Sequence, residues 1–276
     1  MGEVRVLTRR DGRAARRLLD LRPVDNIVVA SRVHASGVER AQLGNNLLGY
    51  WERGRLVSML SDGYALHPVN ATPAALDAFA AREERRRCGS IVGVRDEAMG
   101  LWERLVKTNY SQWAAPREVR DHQQVMAIAA PPRIAPDPRL VHAATRWLDS
   151  YHAASVAMYT EEVGVAPMDA QGGYRQHVAT LMMRGLAFCL PAGDRVVFKA
   201  DIVASAGSVC QIGGVWLDPG WRGRGLSEPL MAAVVAACRE RFETVTLYVN
   251  PYNTPALNCY RSVGFAQVGE CATILY

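Results

Sequence analysis

The stretch Gln211-Ile212-Gly213-Gly214-Val215-Trp216-Leu217-Asp218-Pro219-Gly220-Trp221-Arg222-Gly223-Arg224-Gly225-Leu226-Ser227 decides how this chain folds. Its first seven residues carry no charge and stop at Asp218-Pro219-Gly220, which predicts a strand closed by a turn. Residues 226–242 then read as a long apolar helix. Strand, glycine-rich turn and helix N-terminus, in that order, make an anion site. The unpaired N–H groups of the first helical turn and the helix dipole both face the turn. Gly223 and Gly225 admit positive φ or close approach of the backbone to a phosphate. Arg222 and Arg224 add fork-shaped cationic donors suited to phosphate. Two familiar phosphate loops are excluded, because neither G-x-x-x-x-G-K-[ST] nor G-x-G-x-x-G occurs here.

Downstream, Thr244-Val245-Thr246-Leu247-Tyr248-Val249 reads as a strand, rich in β-branched and aromatic residues. Asn250-Pro251-Tyr252-Asn253 is a turn. A short helix follows, with Thr254 as its expected N-cap and Pro255 at the first helical position, and it stops at Gly264-Phe265.

Arg222-x-x-Gly225-x-Ser227 resembles the Q/R-x-x-G-x-G/A loop of the GNAT N-acetyltransferase superfamily. Ser227 stands where that loop has Gly or Ala; it is small and still offers its backbone N–H. Asn253, Ala256, Tyr260, Gly264 and Phe265 resemble, in register, the motif N-x-x-A-x-x-x-Y-x-x-x-G-F of the same superfamily. The resemblance implies acetyl-CoA as acyl donor, its diphosphate held by Arg222, Gly223, Arg224, Gly225, Leu226 and Ser227. It implies that Val215, Trp216 and Leu217 splay from a neighbouring strand, bond the pantetheine arm and polarise the thioester carbonyl. It also implies that Asn253 orients that arm or a water.

Tyr260 is the candidate general acid, because a phenol with a pKa near ~10 can protonate a leaving thiolate without being ionised at neutral pH. The base is open. Many enzymes of the superfamily use a strand glutamate, and here the strand carries Gln211, which cannot accept the proton. Glu161 and Glu162 fall in residues 159–167, expected as a loop that in this superfamily borders the acceptor pocket. A carboxylate there takes the proton directly or through water, or binds the ammonium. His177 reads as a helix-surface residue, and Cys259 as facing away from the site.

Composition sets the bounds. The chain has 276 residues, 49% hydrophobic and 21% charged, which describes a globular protein with room for one large domain or two modest ones. No apolar run reaches membrane-spanning length and the start has no signal-peptide pattern, so a cytoplasmic location without membrane attachment is expected. Six cysteines lie scattered with no C-x-x-C, which predicts reduced core thiols and no metal framework. The net charge of +5 lies wholly in residues 1–137, which hold 21 basic and 16 acidic side chains. That surplus is a solvated basic face or the mark of an anionic partner. Only Lys107 and Lys199 are lysines; the other 30 basic residues are arginines.

Along the chain, residues 1–130 read as two helices, a hairpin, then strand–helix–strand–helix and two strands, and residues 139–276 repeat that order. Between them, residues 131–138 contain four prolines, which favour an extended linker. In the first half the turn before the helix is Val69-Asn70-Ala71-Thr72-Pro73, with neither the arginine nor the glycines. The expected fold class is α/β (α+β), a tandem GNAT-like fold with mixed sheets flanked by helices and a degenerate first half. The whole chain resembles actinobacterial predicted acetyltransferases with an additional N-terminal half. That resemblance rests on Asn26-Ile27-Val28-Val29-Ala30-Ser31-Arg32, Thr160-Glu161-Glu162-Val163-Gly164 and Val196-Val197-Phe198-Lys199-Ala200.

The function so implied is acetyl transfer from acetyl-CoA to a primary amine of a small molecule or peptide by direct attack. Two other readings stand beside it. One is aminoacyl transfer from a charged tRNA, since tandem folds resemble the Fem-type transferases and the basic half can meet a phosphate backbone. The other is a non-catalytic acyl-CoA sensor, motivated by Gln211.

Overall fold

The computed structural model describes residues 2–83, 88–167 and 172–276. Its contacts divide the chain into two compact units. One holds Met1–Val125, Tyr248–Tyr252 and Gln267–Tyr276; the other holds Met126–Leu247 and Asn253–Ala266.

The first unit contains β1 (Glu3–Val6), β2 (Asn46–Glu52), β3 (Arg55–Asp62), β4 (Ala65–Val69), β5 (Ser90–Val94) and most of β6 (Glu118–Ile128). Its helices are α1 (Gly12–Leu19), α2 (Ile27–Ser36), α3 (Arg40–Leu43), α4 (Pro73–Ala80), α5 (Arg95–Thr108) and α6 (Tyr110–Trp113). Strands β1 to β4 pair antiparallel in sequence order, and β4 pairs parallel with β5 across the α4 crossover. Phe79, Leu101, Leu105 and Trp113 pack with Leu60, Leu66 and Ile91 into the core.

Several sequence expectations shift here. In the sequence, residues 23–36 read as a helix, but α2 begins at Ile27; the helix that Thr72-Pro73 opens reads to about Arg87, whereas α4 closes at Ala80 and residues 84–87 lie outside the described residues. Asp11 makes no side-chain cap to α1. Its carboxylate instead takes Arg5 at 2.7 Å on each oxygen and the Thr8 amide at 2.8 Å, which holds its pKa well below the carboxylate range. The division of the chain also differs from a break at the proline-rich stretch. The final strand, Ala266–Leu275, is one continuous element, not two, and pairs antiparallel with β5. Its inward residues Ala272 and Ile274 are fully buried in the first unit's core, which is the physical reason it belongs there.

The β2–β3 hairpin turns through Arg53 and Gly54, at φ +49 and +76. A two-residue turn needs positive φ at both positions to match strand twist, and arginine reaches it with strain of about 1 kcal/mol. Arg53→Asn is therefore expected to stabilise the protein by ~0.5–1 kcal/mol, seen as a melting temperature ~1–3 °C higher.

The second unit contains β7 (Val141–His142), β8 (Ala187–Ala192), β9 (Arg195–Ala206), β10 (Val209–Leu217) and the start of β11 (Thr244–Val249). The chain's last strand, Ala266–Leu275, is β12. Helices α7 (Leu148–Val163), α8 (Gly173–Met183), α9 (Ser227–Arg239) and α10 (Thr254–Val263) complete the unit. Strands β7 to β10 pair antiparallel in order, and β10 pairs parallel with β11. The α9 face from Leu230 to Val235 and Cys238 is buried, which explains its nearly unbroken apolar sequence.

Candidate active site

Three features stand out in the second unit, the first two on β10 and the turn that follows it. The first is a splay. The β10–β11 ladder has only three pairs, ending at Gln211 with Thr246. On the other side β10 stays paired with β9 through Trp216–Lys199 and Leu217–Phe198, with an irregularity between Gly213 and Trp216. Gly214 lies in that bulge at φ +58, and a Cβ there would sit 2.5 Å from Asp201 Oδ2 and 2.7 Å from Lys199 Nζ. Only glycine fits. Val215, Trp216 and Leu217 thus run along β10 beyond the end of its ladder with β11.

The second feature is an amide cradle. Among the described residues the backbone N–H groups of Gly223, Arg224, Gly225, Leu226, Ser227 and Glu228 reach no backbone acceptor, and the first turn of α9 has no side-chain cap. Gly223 and Gly225 have φ +74 and +69, and a Cβ at either would meet nothing within 4 Å. Two glycines in the left-handed region, with open space before them, suit a nest whose successive amides share one anion. Arg224 lies over the Trp221 ring at 5.3 Å. The residues present therefore fit a diphosphate: free donors, a helix N-terminus and flanking guanidiniums.

The turn before α4 in the first unit makes the contrast. Asn70 takes φ +48, so the backbone bends without a glycine. Three amides of the turn have a use inside the protein. Ala71 N donates to Glu97 Oε2 at 3.0 Å, Thr72 N to the Ser58 hydroxyl at 3.3 Å, and Ala75 N to the Thr72 hydroxyl at 3.2 Å. Pro73 has no N–H to give. Glu97, itself bonded to Arg22 at 2.7 Å, supplies the anion from within. Burial pushes its carboxyl above the ordinary value despite the Ala71 amide and Arg22.

The third feature is Tyr260 on α10. It is 8% exposed, and its ring lies 5.8 Å from that of Phe265. Burial, reinforced by the Cys259 thiol and the Glu162 carboxylate, pushes the phenol well above its ordinary value. The phenol therefore keeps its proton throughout the physiological range. Asn253, not Thr254, is the N-cap of α10: its Oδ1 accepts from Ala256 N at 3.3 Å. That bond leaves its amide NH₂ as the group available for a ligand.

Glu161 and Glu162 lie in the last turn of α7, which continues to Val163 and caps with Gly164 in the left-handed region; the expected loop starts five residues later than the sequence suggested. Glu161 is a bridge. Its Oε1 accepts from Trp216 Nε1 at 3.0 Å and its Oε2 from Arg222 Nη2 at 2.7 Å, while Arg222 Nε donates to Leu217 O at 2.9 Å. Partial burial opposes its ionisation, but the Trp216 and Arg222 bonds and the Arg222 charge outweigh that and lower its pKa. Three residues singled out for separate reasons thus form one cluster. Glu162 is exposed, and its charge reaches Tyr260. His177 is exposed on α8 and Cys259 is buried.

Sequence reasoning gave Lys199, Asp201 and Tyr151 no role, and the structure joins them beneath the bulge. Lys199 Nζ donates to Asp201 Oδ2 at 2.5 Å and to Gly214 O at 2.9 Å; Tyr151 OH donates to Asp201 Oδ1 at 2.6 Å. A signal was present: a lysine inside the apolar strand Val196-Val197-Phe198-Lys199-Ala200, in a chain whose other basic residues are almost all arginine.

A splayed central strand, an open amide cradle at a helix N-terminus and a buried tyrosine on the next helix define an acyltransferase-type α/β fold. Residues 175–265 match the acetyltransferase (GNAT) family, which supports a GNAT-type acyltransferase domain in that segment. Residues 45–151 match a domain of unknown function (DUF4081). A comparison with curated proteins finds no match. Among solved structures the chain is similar to a GCN5-related N-acetyltransferase from Sphaerobacter thermophilus, with 17% identity, 99% of this chain and 95% of that one covered, and a TM-score of 0.62. It is similar to a Drosophila protein at 12% identity, covering 99% and 98%, TM-score 0.67. It is also similar to a tandem GNAT protein from the clavulanic acid biosynthesis pathway at 13% identity, covering 100% and 98%, TM-score 0.55. Likeness at these identities establishes the tandem fold and leaves the substrate to chemistry. Among the described residues no helix is long and apolar enough to cross a membrane.

Proposed function

We propose that the second unit moves an acetyl group from acetyl-CoA to a primary amine of a small molecule or peptide by direct attack. The observation that carries this reading is the run of acceptor-free amides from Gly223 to Glu228 at the start of α9. Bound there, acetyl-CoA supplies an activated acyl thioester. The amides of residues 223–227 and the guanidinium of Arg224 hold its diphosphate, and Arg222 joins them from its place beside Glu161. Val215, Trp216 and Leu217 orient the pantetheine arm and face the carbonyl along the open side of β10. The amide NH₂ of Asn253 steadies the same arm.

The amine nitrogen attacks the thioester carbon; the C–N bond forms and the C–S bond breaks. Tyr260 gives its phenolic proton to the departing sulfur. Glu162 accepts the proton released by the amine, directly or through water, and the phenol is recharged from solvent. Glu161, with its pKa lowered by two donors, suits the holding of Trp216 and Arg222 better than proton transfer. The acceptor arrives as a cation drawn by the carboxylates at the end of α7; it gives one proton to solvent before attack, and the second, released as the amide forms, is the one that Glu162 accepts.

Titration calorimetry with acetyl-CoA, paired with an acyl-CoA consumption assay across amines, amino acids, aminoglycosides and peptide N-termini, tests the reading. Wild-type protein is expected to bind and turn over at least one amine class. Gly225→Val, which puts a β-branched residue at φ +69, is expected to weaken acetyl-CoA binding by at least ~30-fold. Binding without turnover of any amine would mark a sensor. No binding at all would overturn the reading, and tRNA affinity at low salt would then direct attention to the basic first unit.

A further inference from the structure

Lys199 is 1% exposed, and its ammonium sits in a cage made wholly by the second unit. It donates to Asp201 Oδ2 and Gly214 O, and lies 5.1 Å from the centroid of the Tyr151 ring. Tyr151 is itself fully buried, and its hydroxyl takes the second oxygen of Asp201. A buried ion pair of this kind is a poor means of stabilisation, because apolar residues of the same volume pack as well without the desolvation cost. Its value must be sought in what it touches. Apart from its own partners, the ammonium touches one backbone group, the carbonyl of Gly214 in the bulge of β10.

That contact fixes a direction. Every peptide bond of the described chain is trans, so the Val215 N–H points opposite to the Gly214 carbonyl across one planar unit. The carbonyl faces Lys199 on β9. The Val215 N–H therefore points away from the ammonium, at a place where the register with β9 is interrupted between Gly213 and Trp216 and the ladder with β11 has already ended. A cation bonded to the carbonyl draws density from the peptide and makes its N–H a stronger donor, and the effect is larger in a buried setting.

We propose that Lys199, held by Asp201 and Tyr151, is a positioning residue that sets and polarises the Gly214–Val215 peptide, so that the Val215 amide stabilises the oxyanion formed during acyl transfer. This rests on the acyl-transfer reading above. It assigns to three buried side chains a part in the reaction that none performs by touching substrate.

The test compares wild type with Lys199→Met/Asp201→Asn, which removes both charges together, and with Tyr151→Phe, which keeps them. Calorimetry with CoA and with acetyl-CoA, steady-state kinetics and the ¹⁵N-resolved shift of the Val215 amide are measured on protein shown to be folded by circular dichroism. The double variant is expected to lose ~10- to 100-fold in kcat, the order of one oxyanion donor weakened, while the KM of the amine stays within ~2-fold. Its affinity for CoA, which lacks the carbonyl, should stay within ~3-fold because the amide cradle is untouched. The Val215 amide proton should move upfield. Tyr151→Phe should give the same pattern at ~3- to 10-fold, and it decides the matter if the double variant does not fold. A folded variant with wild-type kcat and an unmoved Val215 amide would overturn the proposal and leave the trio a structural pair alone. A wild type that neither binds CoA nor turns over an amine would instead fail the acyl-transfer reading, and the positioning role with it.

Discussion

Tyr260→Phe is expected to lower kcat by about 10²- to 10³-fold while leaving the affinity for acetyl-CoA nearly unchanged. The substitution removes one hydroxyl and keeps the ring, so the packing against Phe265 at 5.8 Å is retained and the fold is not at issue. On the proposed reading, what is lost is the proton given to the leaving sulfur. Burial keeps that proton on the phenol, and the nearby Cys259 and Glu162 strengthen its hold. Because the phenol pKa is raised, the acid form persists beyond pH ~10, and Tyr260 itself causes no fall in rate below that pH. Any alkaline fall below pH 10 would come from another group. A rate within threefold of wild type would show that Tyr260 only packs, and the departing thiolate would then be protonated from solvent. Pre-steady-state kinetics separate this from slow product release, since only the chemical step should respond.

Stability is expected to be flat from neutral pH to about pH 8.5 and to fall progressively above it, with most of it gone by about pH 10.5 to 11. All six cysteines are buried. Burial pushes Cys189, Cys259 and Cys271 from the ordinary thiol value up to about 12. Tyr174 is pushed up to about 12 as well, and burial raises Tyr151 well above its ordinary value. The sign follows from linkage. A group whose folded pKa exceeds its unfolded one stabilises fully below the unfolded value, and that stabilisation is lost as pH rises toward the folded value. For the thiols the window opens near pH ~8.5 and closes near pH 12. At pH ~10.5 each of the three thiols costs on the order of 2 kcal/mol, and a typical protein has only about 5–15 kcal/mol in total. Phenols join above pH ~10. Urea titrations at half-unit pH steps measure this, and Cys189→Ala should flatten the slope between pH 9 and 11 even though it lowers the starting stability. A midpoint that holds steady to pH 11 would show that the thiols ionise inside the fold without cost.

The basic first unit acquires a clearer physical description. Its turn before α4 has the same strand-to-helix order as the cradle of the second unit, yet Glu97 fills it from within and Arg22 neutralises Glu97. An incoming diphosphate would meet a carboxylate and amides already bonded. The surplus of positive charge in residues 1–137 therefore does not mark a second donor site of the same kind.

How much of this was legible from residues alone depends on the range of the interaction. The turn of residues 222–227, the order of strand and helix around it, and the helix carrying Tyr260 are local matters. Glycine, proline and apolar spacing declare them, because backbone preference and periodicity act over a few neighbouring residues. The ends of α2, α4 and α7 were less legible, since packing decides where a helix stops once propensity permits it to continue. Only the tertiary structure decided the rest. It brought Glu161 of α7 onto Trp216 and Arg222, placed Lys199 beneath Gly214, set Glu97 against the Ala71 amide, and paired β12 with β5. Each of these joins residues far apart in the chain, where a charge or a strand can find its partner only after the core has closed and fixed the distance between them.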